Sequence, residues 1–194
     1  MSRFIFIAFF FLLSSSIYGQ EEEEGILPAE RVAEFEQIAL EKAKDLGAYI
    51  EIISDRSSAP QDVDNSVELA ISLFLDEYQT VQVSSVNRSM VQSYRIRKYL
   101  GRLRLLPYRK VEIEWFDVHQ VSDIKLGTDG RYHGVITVYQ RFKGYTGDQI
   151  SYEDVTEKNI EIILDKISKN VGGTIVNNWD VFLGDLNVIE TKRL

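Results

Sequence analysis

The stretch Val111–Tyr145 constrains the fold of this chain more than any other part of the sequence. It holds two runs in which apolar and polar residues alternate, and Gly127-Thr128-Asp129-Gly130 separates them. Alternation with a period of two is typical of β-strands, and glycine favours a tight turn between them. The stretch therefore predicts two long antiparallel strands, 111–126 and 131–143.

Helical spacing dominates before this hairpin, and further alternation follows it. In chain order, the other predicted elements are a helix over 28–53, a loop over 54–65, a helix over 67–75, a strand over 80–84, a helix over 91–106, a hairpin loop over 143–149 and strands over 152–167 and 174–190. In the last strand the apolar residues change parity after Gly184, which predicts a bulge there. The pattern indicates an α+β domain.

The first 27 residues are set apart from this domain. Arg3, the apolar run Phe4–Leu13 and then Ser14–Gly19 have the layout of a secretory signal peptide, with cleavage after Gly19. The apolar run is too short to anchor the chain across a bilayer. An uncleaved N-terminal helix is the alternative. We thus expect a signal peptide over 1–19, an acidic flexible leader over 20–27, a single domain over 28–194, and a periplasmic or secreted location.

Composition and charge narrow the function. The chain has no cysteine, so packing alone must hold an exported domain together. Its net charge of -8 becomes -9 when Arg3 leaves with the signal peptide, and this acidity argues against nucleic acid as a partner. The one basic concentration is the predicted helix 91–106. It is either a solvated helix face or a site for an anionic ligand.

Three segments carry a resemblance to a known family: Asp129–Gly134, Gln140–Tyr145 and Tyr152–Lys158. They are similar to exported Bacteroidetes-type proteins with a nuclear transport factor 2-like domain. The order of elements resembles the same superfamily, which includes ketosteroid isomerase and the SnoaL-like cyclases. The resemblance implies three N-terminal helices packed in a curved, mostly antiparallel sheet, cone-shaped and cystatin-like, with a pocket between helices and sheet. It carries over no catalytic residue.

Asp117 and His119 are the candidate acid–base pair, because they lie two residues apart on one predicted strand face. An exposed polar contact between them is the alternative, and a bulge near Trp115–Phe116 would alter this grouping. Isomerase chemistry would also need a desolvated carboxylate near hydrogen-bond donors. The candidates for these roles are Asp117, Asp154 and Asp180 as acids, and Tyr99 and Tyr139 as donors.

Trp115, Tyr139 and Trp179 are the predicted ligand-binding residues, as aromatic walls of the pocket; burial in the core is the alternative. Two histidines without metal-ligand spacing, and no cysteine, disfavour a metal site. No glycine-rich phosphate loop opens a helix, so we expect no cofactor.

The sequence favours an exported, non-enzymatic ligand-binding or protein-interaction domain of the bacterial cell envelope. Its expected partner is a small apolar or anionic ligand or an envelope protein, and a homodimer through the sheet is a further expectation. One alternative is a small lyase or isomerase acting on a hydrophobic carbonyl compound in the pocket, and another is a purely structural accessory domain of an envelope assembly.

Overall fold

The computed structural model describes residue 27 and residues 29–194. Within the helices and strands, it does not describe the side chains of Ala29, Glu30, His119, Gln120, Lys169 and Val171. The predicted signal peptide and nearly all of the predicted acidic leader lie outside the described residues. None of the described helices has the length and apolar character needed to cross a membrane.

Three helices precede the long strands. They are α1 (Ala29–Ser54), α2 (Pro60–Ser72) and α3 (Ile96–Leu103). The apolar face predicted for the first helix is confirmed, because its residues from Phe35 to Ile53 at steps of three, four and seven are buried. Gly47 stays inside α1. A β-carbon there would come within 3.3 Å of the Trp115 side chain, so the glycine allows this tryptophan to pack closely against the helix.

The strands form one mixed sheet. They are β1 (Thr80–Val83), β2 (Gln92–Arg95), β3 (Lys110–Val121), β4 (Lys125–Leu126), β5 (Tyr132–Thr146), β6 (Gln149–Val171) and β7 (Thr174–Arg193). The order is β2-β1-β7-β6-β5-β3, and β4 pairs with β5. The β1–β7 pair is parallel, and the other strand pairs of the described chain are antiparallel. The α+β class and the antiparallel pairing of the predicted hairpin are confirmed, but the predicted strand 111–126 is divided into β3 and β4.

One side of the sheet faces the helices and forms the core. On β5 the even-numbered residues from Tyr132 to Gln140 are buried, whereas the odd-numbered ones are partly exposed. On β6 the buried residues also have even numbers from Asp154 to Leu164, with Ile163 buried as well. The two strands therefore turn the same side toward α1 and α3, as the period of two requires.

Bulges interrupt this alternation on both outer strands of the long meander. On β7, Gly184 and Asp185 together lie opposite Glu161, so the bulge predicted at Gly184 is confirmed. A second extra residue, Ile189, follows Val188, which pairs with Lys158. On β3 the register shifts between Phe116 and Gln120.

Two predicted helix boundaries are wrong. Gln92–Arg95 pairs with β1 as a strand, so the predicted helix 91–106 shrinks to α3. Without β2, the short β1 would be an open sheet edge with unpaired peptide groups. The second helix begins at Pro60, inside the predicted loop, and ends at Ser72. Beyond it Phe74 bridges to Leu183 of the sheet, a long-range contact that overrides the local helical pattern.

Candidate functional site

The helix-facing side of β6 changes from apolar to polar along its length. Ile160, Ile162 and Leu164 belong to the core, whereas Asp154, Thr156 and Lys158 continue the same parity toward the start of the strand. On the neighbouring β5, Gln140 pairs with Thr156, and Phe142 pairs with Asp154. Four polar side chains and Phe142 thus form a floor within the interior layer of the protein.

A cleft lies between this floor and the segment from β1 to the end of α3. It has two lobes, a Lys158 lobe of about 120 Å³ and an Asp154 lobe of about 240 Å³. Both lobes are lined by Val83, Arg88, Leu106, Gln140 and Phe142. Together they fall at the small end of the range of about 300–1,000 Å³ that is typical of small-molecule sites.

Lys158 is the most unusual residue of the cleft, because its side chain is only 2% exposed. Its ammonium Nζ donates one hydrogen bond, of 3.3 Å, to the carbonyl oxygen of Gln82, and lies 5.8 Å from the centre of the Tyr99 ring. Within the described part of the chain, no carboxylate oxygen lies within 4.0 Å of it. Burial lowers the pKa of Lys158 to about 8, and the more distant Asp154 opposes this shift.

Asp154 occupies the other end of the floor and is also buried. The Tyr152 hydroxyl donates a hydrogen bond to Asp154 Oδ2, contacts Ser85 Oγ at 2.8 Å and accepts the Val86 amide at 3.2 Å. Burial raises the pKa of the Asp154 carboxyl, while the Tyr152 hydrogen bond and Lys158 lower it. Four residues of strand separate the Cα atoms of Asp154 and Lys158 by roughly 13 Å.

Two buried polar atoms beside the cleft have no hydrogen-bond partner in the described part of the chain. They are the Gln140 Oε1 acceptor and the Trp115 Nε1 donor. Gln140 and Trp115 are directly opposite each other on β5 and β3, with the core on their side of the sheet. Buried polar groups in proteins are rarely left unpaired, so an unpaired acceptor and donor on adjacent strands indicate a place for a ligand or a bound water.

The mouth of the Lys158 lobe is positively charged. Arg88 and Arg102 line it as exposed side chains. Arg102 stacks on the Tyr94 ring with its guanidinium carbon 4.5 Å from the ring centre, and Arg88 donates a 3.1 Å hydrogen bond to Gln92 Oε1. No Asp or Glu is among the residues that line this lobe. The lobe therefore offers cations at its floor and mouth without an anion to neutralise them.

The predicted aromatic residues are distributed over the sheet. Trp115 faces the helices next to the cleft, packed against Gly47 and opposite Gln140. Tyr139 is on the outer side of the sheet and stacks on Phe116, with ring centres 5.7 Å apart. Trp179 packs edge-on against Tyr132 at 5.3 Å, away from the residues that line the cleft. The roles of these three residues in ligand binding stay predictions. Dimerisation through the outer face of the sheet also stays a prediction.

The bulge on β3 changes the surroundings of the predicted acid–base pair. Asp117 is exposed and has a positive φ of 53°, so the strand alternation that placed it beside His119 stops here. The His119 side chain lies outside the described part of the structure. The other histidine, His133, contacts Asp129 and Glu161, each at 3.1 Å, beside the hairpin turn.

A larger groove of about 590 Å³ lies between the end of α1 and β3. Its cations are paired with anions: Lys110 with Glu112 at 2.6 Å, and Arg141 with Glu114 at 3.1 Å. Exposed pairs of this kind are typical of a solvated surface. No cluster of three potential metal-binding side chains occurs among the described residues. The cleft, with its unpaired buried groups, is the stronger candidate.

The chain matches none of the protein-family models and none of the curated proteins with which it was compared.

Sequence reasoning considered Asp154 and Tyr99 but missed Lys158, Gln140 and Tyr152 as site residues. A signal for them was present. Lys158 and Asp154 share the parity of Ile160, Ile162 and Leu164, which were the strongest apolar residues of the predicted strand. A charged residue on the core side of a strand is rare unless it is paired or functional.

Replacement of Lys158 by methionine tests its burial. The pKa of Lys158 is about 8 in the folded chain, compared with 10.5 as the ordinary value. Between pH 7 and pH 9.5 the unfolded chain therefore binds more protons at Lys158 than the folded chain does. The free energy of unfolding consequently increases as the pH rises. We expect the wild type to gain about 2 kcal/mol relative to Lys158→Met over this interval. Urea denaturation at a series of pH values measures this difference.

The ionisable groups that face Lys158 are present in both proteins. They are Asp154 on β6, Tyr99 and Arg102 on α3, Tyr94 on β2 and Arg88 in the preceding loop. Asp154 interacts with Lys158, so the difference between the two curves reports Lys158 together with this interaction. Lys125→Met is the matched control, because that side chain is 77% exposed. Its curve should run parallel to that of the wild type. A parallel curve for Lys158→Met would contradict the buried position.

Proposed function

We propose that this protein is a binding domain for a small, elongated ligand with an apolar body and an anionic or carbonyl head that meets Lys158. The observation that carries the proposal is the buried Lys158 ammonium, which makes one hydrogen bond and meets no carboxylate among the residues that the structure describes. A buried ammonium without a counter-ion is unfavourable on its own. An acceptor on a ligand would supply the missing partner.

The lining of the cleft supports the apolar body of this ligand. The Lys158 lobe combines Val83, Leu103, Leu106, Ile113 and Phe142 with two tyrosines. Aromatic and aliphatic walls with a few polar groups are typical of small-molecule sites. The floor extends over roughly 13 Å from Asp154 to Lys158 while the lobes are small, which favours an extended molecule over a bulky one.

We infer that the sheet curves around the helices as in the nuclear transport factor 2-like superfamily. The bulges on β3 and β7 support this inference because bulges bend strands. We infer also that the domain acts after export, as a periplasmic or secreted protein, and the pattern of residues 1–19 supports export.

Two ligands and one variant test the binding site. The ligands are 3-phenylpropanoate and the neutral 3-phenylpropan-1-ol, and the variant Lys158→Met lacks the Lys158 charge. We expect Lys158→Met to weaken 3-phenylpropanoate binding about tenfold or more, because a hydrogen bond to a charged group contributes about 1.5–3 kcal/mol. The alcohol should bind both proteins with similar affinity. Isothermal titration calorimetry measures these affinities.

Lys143→Met is the matched control, because Lys143 lines the larger groove and pairs with Glu153 at 3.8 Å. It should bind 3-phenylpropanoate as the wild type does. Loss of binding in Lys143→Met with retention in Lys158→Met would move the site to the groove. If neither ligand gives a heat of binding to the wild-type protein at millimolar concentration, the result would count against the binding function.

A lyase or isomerase acting on a hydrophobic carbonyl compound is the second candidate. It is favoured by the Asp154–Tyr152 pair, a buried carboxyl of raised pKa that accepts a hydrogen bond from a tyrosine in the wall of the cleft. A desolvated carboxylate near a hydroxyl donor is the arrangement that removes a proton next to a carbonyl.

Hydrogen–deuterium exchange at the carbons next to the carbonyl of 4-phenylbutan-2-one tests this candidate. We expect Asp154→Asn to lower any exchange catalysed by the wild type about a hundredfold, because a general base contributes 10²–10⁴-fold. Exchange is followed by NMR in D₂O. Asp117→Asn is the control, because Asp117 is exposed at the β3 bulge. The candidate is abandoned if the wild type exchanges no faster than buffer.

Export is tested by the mass of the protein recovered from the periplasm or medium of a bacterium that expresses the full chain. Cleavage after Gly19 leaves Gln20 as the first residue. We expect that mature mass, and we expect a chain without residues 4–13 to stay in the cytoplasm at its full mass. Full-length protein confined to the cytoplasm in both cases would contradict export.

A further inference from the structure

We propose that Lys158 captures aldehyde or ketone ligands covalently, as an imine between its side-chain nitrogen and the carbonyl carbon of the ligand. This inference rests on the proposed binding function, because the cleft must first admit the apolar body of the ligand. It goes beyond that function by assigning a reactive group and a chemical class of ligand.

The surroundings of Lys158 leave its amine available for reaction. Its one hydrogen bond goes to the Gln82 carbonyl, and the Gln82 side chain is itself held by the Val188 amide at 3.0 Å. The β7 bulge at Ile189 follows this contact directly. The nitrogen is therefore positioned by the backbone of β1 and by its own strand. No carboxylate of the Lys158 lobe holds it as a salt bridge.

Other lysines of the chain have the opposite arrangement. Lys110 and Lys192 are exposed and paired with Glu112 at 2.6 Å and Glu190 at 2.7 Å, which raises the pKa of each ammonium. A protonated amine has no electron pair to give to a carbonyl carbon. A desolvated lysine in an apolar pocket, with a pKa of about 8, is partly neutral near neutral pH and can act as a nucleophile.

The reaction needs no oxidant, reductant or metal. The nitrogen lone pair of the neutral amine forms a bond to the carbonyl carbon, and a proton passes from nitrogen to oxygen to give a carbinolamine. Loss of the hydroxyl group, with the remaining nitrogen proton, releases one water and leaves the C=N bond. The aldehyde and the lysine thus give an imine and water, and hydrolysis reverses the step and frees the ligand.

The apolar lining favours the imine once it has formed. Leu103, Leu106 and Phe142 surround the same lobe, and low access of water slows hydrolysis of a bound intermediate. Arg88 and Arg102 at the mouth suit a ligand with an anionic group at the end remote from its carbonyl. An apolar aldehyde or ketone with a distal carboxylate is the ligand class that uses Lys158, the apolar lining and the two arginines of the lobe.

The test uses 3-phenylpropanal with the mature protein and sodium cyanoborohydride, which reduces an imine to a stable amine. We expect one adduct on the protein. After reduction, its mass should exceed that of the unmodified protein by the mass of the aldehyde minus one oxygen atom. Peptide mapping by mass spectrometry should locate it at Lys158 and not at the other nine lysines of the chain. Labelling of Lys158 should exceed that of any exposed lysine about tenfold or more. Competition by 3-phenylpropanoate should suppress it.

Lys158→Arg tests the position of covalent capture. The guanidinium keeps the positive charge but forms no imine under these conditions, so this variant should lose the adduct. Lys98→Met is the control, because Lys98 is exposed near the mouth, 5.6 Å from the Tyr94 ring centre. It should be labelled at Lys158 as the wild type is.

The wild-type map decides the inference even if a variant fails to fold. Uniform labelling of the exposed lysines with none at Lys158, while 3-phenylpropanoate still binds, would overturn covalent capture and leave the binding function intact. Absence of both binding and labelling would overturn the two together.

Discussion

The period-two alternation of the long strands is the constraint on which the rest of this structure depends. Once β5, β6 and β7 are paired, alternate side chains in the middle of these strands enter the layer between sheet and helices. On β6 this layer includes Asp154, Thr156 and Lys158 together with the isoleucines of the core. The strand cannot turn its polar half outward without also exposing its apolar half, because a shift of one residue exchanges the two faces.

Burial of the apolar residues of the sheet offsets the free-energy cost of burying its polar residues. The lowered Lys158 pKa corresponds to about 3 kcal/mol of unfavourable burial. Full burial of a single isoleucine or leucine contributes about 1.5–3 kcal/mol, and Ile160, Ile162 and Leu164 are all fully buried. Together with the buried face of α1, these residues offset the burial of one amine. The site is therefore a local loss of stability within a well-packed core.

Separation of charge gives the cleft its chemistry. If Asp154 and Lys158 were in contact, they would form a buried ion pair and neutralise each other. Four residues of extended strand hold them roughly 13 Å apart at the Cα atoms, so each keeps its own surroundings. Asp154 accepts a hydrogen bond from Tyr152, whereas Lys158 faces an apolar lobe with arginines at its mouth. One strand thus presents an acid and an amine to the two ends of one cleft.

The sequence by itself determined the α+β class, the buried face of α1, the long hairpin and the bulge at Gly184, because each depends on local periodicity or on a local break in it. The parity of β6 was also readable, and it points to Lys158. Only the tertiary structure decided that Gln92–Arg95 forms a strand, that β3 bulges at Asp117, and that Arg88, Arg102 and Tyr94 lie opposite Lys158. Those outcomes depend on contacts between residues far apart in the chain, which no local pattern of apolar residues encodes.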